Sequence, residues 1–588
     1  MHLPLKAALI FLHEKSHSSL FPQSTIPFTF LSWRNFFGPV MKLLPTVAIA
    51  AACGSPLASA LIPPVIDTHY GTINGGLSPF AGGDKAFVYK GIPYAQPPTG
   101  ANRWTKVGGP SYWGELNATE FGPQCAQTIS GAGIFSSGKN TTSEDCLTLN
   151  IWTPAYKDQT NMASKNLPVF FWIYGGRFSG GSADVKTYDG TGLAQKDIIV
   201  VTINYRLGPF GFLAHPDLTA ESGTNSSGNY GILDQQAALH WVKENIAKFG
   251  GNPGQITVGG QSAGSASALD AMWSPLVAGL AAGVISESGA RGPHDPMTGT
   301  VATSYRAKEA AEAHGVSLLK TMGVSSIAEL RNVSMESLLE YDMLNDIIWE
   351  GTVFESFPDA FMEPPMWRPN LDGYVFTDTY FGALSSNSHA DIPILTGNNA
   401  DESGSTPTLT YSASEYQELF SILFGDLADE FFSLYPGENT TQASASGNEF
   451  WRDLGRIGTW TWALDWAAGG AKENVYTYYF NHWPAEKRSN GAYHGSELWY
   501  TFNNLPYSSY DNATWNDEDY NVQTKMANYW ANFIRNGNPN GDGQAQWNPS
   551  KKHEQTMWLG DQWGMGPLTM DNKRIAFLEK WLARQSAW

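Results

Sequence analysis

The stretch QITVGGQSAGSAS, residues 255–267, constrains this chain more than any other. Residues 255–260 form a short apolar, β-branched run that reads as a strand, and an alanine-rich helical pattern starts at Ser262. Between them stands Gly260-x-Ser262-x-Gly264. A strand that turns directly into a helix is so tight that glycines must flank the serine. The turn lifts the Ser262 hydroxyl clear of the backbone and aims a helix N-terminus at it.

The neighbouring segments keep the same alternation. PVFFWIY (168–174) and DIIVVTINYR (197–206) are the continuous apolar runs of strands buried on both faces. From Asp234 onward, Ala238, Trp241, Val242, Ile246 and Phe249 follow helical spacing, and Gly250-Gly251 stands where a C-cap glycine belongs. Strand, turn and helix in repetition argue for an α/β fold with a large, mainly parallel sheet flanked by helices. With no internal repeat or long linker, the chain reads as a single large domain.

Composition narrows the function. The formal charge of −19 repels nucleic-acid phosphates and anionic membranes, so neither is an expected partner. The His spacing lacks His-Glu-x-x-His, and no Cys-x-x-Cys pair, Walker loop or dinucleotide-type glycine motif is found; no metal and no cofactor are expected. Residues 41–60, MKLLPTVAIAAACGSPLASA, have a lysine, a short apolar stretch and Ala58-Ser59-Ala60, the layout of a cleaved secretory signal. It begins at an internal Met41, which makes residues 1–40 an extension from a mis-set start and leaves 61–588 as the domain. The apolar run is too short and interrupted for a stable membrane span. Sequons at Asn117, Asn140, Asn225, Asn332, Asn439 and Asn512 are compatible with secretion, at a number close to chance.

A serine is a weak nucleophile without a base. In a fold of this kind the partners follow in the order serine, acid, histidine. Downstream, TGNNADESGS (396–405) offers Asp401 and Glu402, and GAYHGSELWY (491–500) places His494 in a glycine-flanked loop.

Several long segments, in the right order from about residue 65 to the C-terminus, resemble the type-B carboxylesterases, the family of carboxylesterases, cholinesterases and related fungal lipases. They are YKGIPYAQPPTGANRW (89–104), EDCLTLNIWTP (144–154), NYRLGPFGFL (204–213) and FGGNPGQITVGGQSAGSAS (249–267). The resemblance implies an α/β-hydrolase fold and hydrolysis of small-molecule carboxylic esters. It makes Ser262 the nucleophile, His494 the general base and Glu402 the acid, with Asp401 the runner-up. It puts the oxyanion donors on the backbone N–H groups of Gly176, Arg177 and Ala263, and it implies a disulfide between Cys125 and Cys146, leaving Cys53 in the signal.

The chain departs from the family pattern at four places. Arg177 replaces the last glycine of a Gly-Gly-Gly turn. It keeps the N–H but is strained by about 1–2 kcal/mol if the position needs positive φ. Its guanidinium either faces the acyl pocket and favours carboxylate-bearing substrates, or points outward into a salt bridge, which is the orientation expected. Gln261 stands where many relatives have glutamate, which removes a negative charge beside the serine. The loop between Cys125 and Cys146 contains no Trp to hold a choline cation, which disfavours choline esters. Ser403 replaces a glycine.

Three functions compete. The first is a secreted serine carboxylester hydrolase. The second is a lipase-like relative for longer acyl esters, with FESFPDAFMEPPMW (354–367) lining an apolar pocket. The third is a catalytically silent binding protein on the same fold, which would lack the serine that this chain keeps.

Overall fold

The computed structural model describes residues 61–78, 86–129, 133–156, 162–300, 304–505, 514–550 and 554–588. The expected extension 1–40, the signal 41–60 with Met41 and Cys53, and the sequon Asn512 lie outside the described residues. Ala60–Trp588 make up one compact unit.

Its frame is an 11-stranded sheet. In chain order the strands are β1 (Gly76–Leu77), β2 (Ala86–Pro93), β3 (Thr148–Pro154), β4 (Leu167–Ile173), β5 (Ile199–Ile203) and β6 (Gly251–Gln261), followed by β7 (Gly283–Glu287), β8 (Ile394–Asn399), β9 (Val475–Phe480), β10 (Gln555–Leu559) and β11 (Gly564–Pro567). Across the sheet they run β11-β10-β9-β8-β7-β6-β4-β5-β3-β2-β1. Every pairing from β10 through β5 is parallel. The pairings beyond, at both edges, are antiparallel. The fold class therefore agrees with the sequence expectation, with mixed edges added to a parallel centre.

The central strands are buried on both faces, as their unbroken apolar runs require: every residue of β5, β7, β8 and β9 is buried. Helices α1 (Tyr230–Asn245) and α2 (Ala263–Trp273) follow β5 and β6. α1 starts before Asp234, because Tyr230, Ile232 and Leu233 also bury apolar side chains. Its 3-10 extension ends at Gly250, whose φ of +92° is the left-handed conformation expected of that glycine. β6 starts earlier than residue 255 and contains an irregularity between Gly251 and Ile256.

A second apolar core gathers Phe420, Phe431, Phe450 and Trp451 around α3 (Thr440–Ala468). Most large aromatics are core rather than pocket lining; Trp152, Trp172, Trp499 and Trp530 are fully buried.

Cys125 and Cys146 form a disulfide with a Cα–Cα distance of 5.0 Å. The described sequon asparagines, Asn117, Asn140, Asn225, Asn332 and Asn439, are all exposed. Among the described residues no helix is long and apolar enough to cross a membrane.

Candidate active site

Parallel neighbours bring their carboxyl ends to the same edge of a sheet, and ligands of open α/β sheets bind there. Gly176 and Arg177 follow β4, Ser262 follows β6, Glu402 follows β8, and His494 lies in the loops after β9. The topology alone thus gathers residues up to 318 positions apart in the chain (494 − 176) on one edge.

The serine turn is as tight as the sequence demands. A Cβ on Gly260 would lie 2.1 Å from the carbonyl oxygen of Gly264, and one on Gly264 would lie 2.1 Å from that of Ile173. Ser262 itself has φ +60° and ψ −125°, outside the regions that L-residues favour. Its amide donates to the carbonyl of Glu287 at 2.9 Å, which fixes the turn against β7. Ser262 Oγ has no hydrogen-bond partner among the described residues.

Glu402 and Asp401, adjacent in sequence, separate completely in space. Glu402 Oε2 lies 2.6 Å from His494 Nδ1, and its Oε1 accepts from the Asn399 amide at 2.8 Å. Asp401 instead accepts from the Ala492 amide at 2.8 Å and pairs with Arg452, while its own amide donates to the Ala492 carbonyl at 3.0 Å. Asp401 anchors the loop that carries the histidine; Glu402 touches the ring.

The His494 side chain is 44% exposed onto the cavity, against 5% for Glu402. Enclosure lowers its pKa. The hydrogen bond and charge of Glu402, with Glu497 behind, outweigh that and leave the imidazole above its ordinary value. With Nδ1–H donated to the carboxylate, Nε2 carries the lone pair. Gln261 Nε2 stands 3.0 Å from it, placed to donate. Gln261 is therefore more than a missing negative charge: its amide occupies the atom that a catalytic serine needs.

Behind His494 lies a layer that the sequence did not reveal. Glu287 and Glu497 are both wholly buried. Trp530 Nε1 donates to Glu287 at 2.7 Å. Asn399 Nδ2 donates to Glu497 and, at 2.8 Å, to the Tyr493 carbonyl. Burial pushes both carboxyls up, and for Glu497 the charges of Glu287 and Glu402 add to the effect. Both effects favour the protonated form of the two carboxyls. No local sequence pattern marks such a pair.

The glycine turn after β4 presses on the serine: a Cβ on Gly175 would come within 3.0 Å of the Cβ of Ser262. Gly176 has φ +106° and Arg177 φ +57°, so the position does demand positive φ and the arginine is strained there. The amides of Gly176, Arg177 and Ala263 have no acceptor among the described residues. Free N–H donors next to a serine, one of them at a helix N-terminus, are the elements of an oxyanion hole. Ser403 likewise has φ +55°, which accounts for the family's glycine there.

The Arg177 guanidinium does not form the expected outward salt bridge. No carboxylate pairs with it among the described residues, which corrects the expected salt bridge. Nη2 donates to the Asn345 side chain at 3.1 Å and the Glu363 carbonyl at 2.6 Å, both neutral acceptors.

A cavity of about 360 Å³ opens over Ser262, with Arg177, Ala263, Glu402, Ser403 and His494 on its wall. Asp359, Met362 and Pro365 also line it, while Phe357 and Phe361 from the same segment are buried in the second core. The segment 354–367 thus divides between pocket and core. Elsewhere among the described residues, His482, Glu518 and Asp561 bring metal-ligand atoms within 4.8 Å of one another. Both His482 nitrogens are already held, by Asp561 at 2.7 Å and Asp519 at 2.8 Å.

Comparison with known proteins agrees with this geometry. A sequence model of the carboxylesterase family matches residues 62–574. The chain is 33% identical over 525 residues to the fumonisin B1 esterase of Sphingopyxis macrogoltabida, covering 88% of this chain and 90% of the relative. It is 32% identical to the para-nitrobenzyl esterase of Bacillus subtilis (strain 168), covering 81% of this chain and 90% of that one. Among solved structures, a PNB esterase superposes with a TM-score of 0.66 at 32% identity, over 87% of this chain and 99% of that chain.

Proposed function

The chain belongs to the carboxylesterase family and is a carboxylic ester hydrolase; from that premise we propose that it is a secreted serine esterase working through Ser262, His494 and Glu402. The observation that carries the reading is the 2.6 Å contact of His494 with Glu402, opposite the glycine-flanked serine in one cavity.

In this mechanism Gln261 yields His494 Nε2 to the serine. Ser262 Oγ attacks the ester carbonyl carbon as Nε2 takes its proton. The tetrahedral oxygen is held by the N–H groups of Gly176, Arg177 and Ala263, each such donor typically contributing about 3 kcal/mol. His494 then protonates the leaving alcohol, and a water, activated by the same nitrogen, releases the acid from the acyl-enzyme. Glu402 keeps the ring in the right tautomer and stabilises the imidazolium. The disulfide, the signal pattern of residues 41–60 and the exposed sequons support an oxidising, extracellular destination.

Treatment with a small fluorophosphonate tests the chemistry without knowledge of the natural acyl group. Peptide mass analysis should find one adduct, on Ser262, and none in His494→Ala. An unlabelled Ser262 in folded protein would refute the proposal. A second expectation concerns pH. Only neutral His494 can take the proton, and its pKa lies above the ordinary value near 6.5. The acid limb of kcat/KM should therefore fall above that value, and activity should be lost as pH drops through it. A limb below pH 6 would contradict the assignment of Glu402 as the partner of a raised imidazole.

A further inference from the structure

Arg177 stands between two limbs of one loop. The amide of Asp346 donates to the carbonyl of Pro364, and that of Met366 to the carbonyl of Leu344, both at 2.8 Å; Asn345 and Pro365 form an antiparallel bridge. These contacts close a neck. The chain between them carries Asp359 and Met362 onto the cavity wall, next to Pro365. It also exposes Ile347 (64%) and Met362 (49%). The Glu363 carboxylate holds the loop from inside, accepting from the Ile348 amide at 2.6 Å.

One nitrogen of Arg177, Nη2, bonds both limbs at once: the Asn345 side chain on the first and the Glu363 carbonyl on the second. The same residue supplies the turn after β4 that abuts Ser262. Glycine would meet the positive φ at no steric cost. Arginine there carries strain and a half-enclosed cation with no counter-charge among the described residues, and both are set against a bridge that glycine cannot make.

We propose that Arg177 is a specificity-determining positioning residue. By fastening the neck of the 344–366 loop to the oxyanion turn, it fixes the Met362–Pro365 wall and so limits the size of ester the cavity admits. The inference rests on the esterase reading above for its functional consequence, but the latch itself is a structural claim.

The test compares wild type, Asn345→Ala, Arg177→Gly and the double variant on 4-nitrophenyl acetate, 4-nitrophenyl octanoate and the 4-nitrophenyl monoester of glutaric acid. Amide hydrogen exchange over 344–366 is measured in parallel. Asn345→Ala should leave acetate turnover unchanged and raise the octanoate-to-acetate ratio of kcat/KM by about 3-fold through a lower KM for octanoate. Arg177→Gly should raise the ratio by about 10-fold, the range in which pocket size discriminates. Adding Asn345→Ala to Arg177→Gly should change nothing further, because the bond is already gone. The amides of Asp346 and Met366 should exchange faster in every variant.

An unchanged ratio with unchanged exchange would overturn the latch. So would a loss confined to the glutarate monoester, which would instead make Arg177 a receptor for a substrate carboxylate. An equal fall in kcat on all three esters for Arg177→Gly alone would also overturn it, by reducing the side chain to a support of the oxyanion backbone. If wild type hydrolyses none of these esters, the esterase reading fails separately. Exchange then decides the latch: faster exchange in Arg177→Gly upholds it and equal exchange ends it.

Discussion

Ser262→Ala and His494→Ala are each expected to lower kcat on an activated aryl ester by on the order of 10⁶-fold, and the double variant by no more than either alone. The reason is that neither group acts independently. Ser262 sits on a turn at φ +60° with its hydroxyl unbonded, and it is no nucleophile until a base takes its proton. His494 has no other proton to move. Removing one makes the other irrelevant to the rate. What remains is the contribution of the oxyanion donors and of substrate binding, typically 10³–10⁴-fold over water. The fold should survive both changes. Alanine at 262 bears about the same positive-φ strain as serine, and the amide bond to Glu287 that holds the turn is main-chain. His494 opens onto the cavity rather than filling the core. Steady-state kinetics on all three variants, with melting temperatures as the control, check this. Losses that simply multiply in the double variant would mean that the two residues do not share a step.

How much of this site could be read from the sequence depended on how local its determinants are. The serine turn was legible because a strand, flanking glycines and a helix leave their mark within 13 residues, 255–267. The left-handed Gly250 was legible for the same reason: a helix end announces itself through the residue that must follow it. Strands β4 and β5 were legible because burial on both faces leaves an unbroken apolar run. The antiparallel edges were not, since β1 and β11 are short, glycine-rich and only partly buried. Long-range pairings were beyond local pattern altogether. Arg177 bonds residues 168 and 186 positions away, and nothing near it in sequence distinguishes a carbonyl partner from a carboxylate. Gln261 looked like a lost charge because its identity is local and its contact with His494 is not. The buried Glu287–Glu497 layer joins the end of β7 to the loop after β9, and only the sheet order brings those segments together. The choice between Asp401 and Glu402 was of this kind too.

Substituting each carboxylate in turn distinguishes Glu402 from Asp401. Glu402→Gln keeps the shape of the side chain but removes its charge and the obligatory acceptor for His494 Nδ1–H. It can present its amide nitrogen to the ring and favour the wrong tautomer. The expected result is a fall in kcat of about 10⁴-fold. Both contributions that raise the imidazole pKa through Glu402 go with it, leaving the lowering effect of enclosure and a weaker pull from Glu497. The acid limb of the residual activity should therefore move to lower pH. Asp401→Asn is expected to behave differently. Asp401 is 5% exposed, pairs with Arg452 and accepts from the Ala492 amide, two residues before the histidine. Breaking a buried ion pair while leaving its partner in place costs about 3–5 kcal/mol, and Arg452, 30% exposed, can recover part of that in water. Asp401→Asn should thus lower the melting temperature while the molecules that remain folded keep the wild-type pH profile. Glu402→Gln should alter the profile with little change in melting. If instead Asp401→Asn moved the acid limb and Glu402→Gln did not, the carboxylate that serves His494 would be Asp401, and the 2.6 Å contact of Glu402 with the ring would have no part in proton transfer.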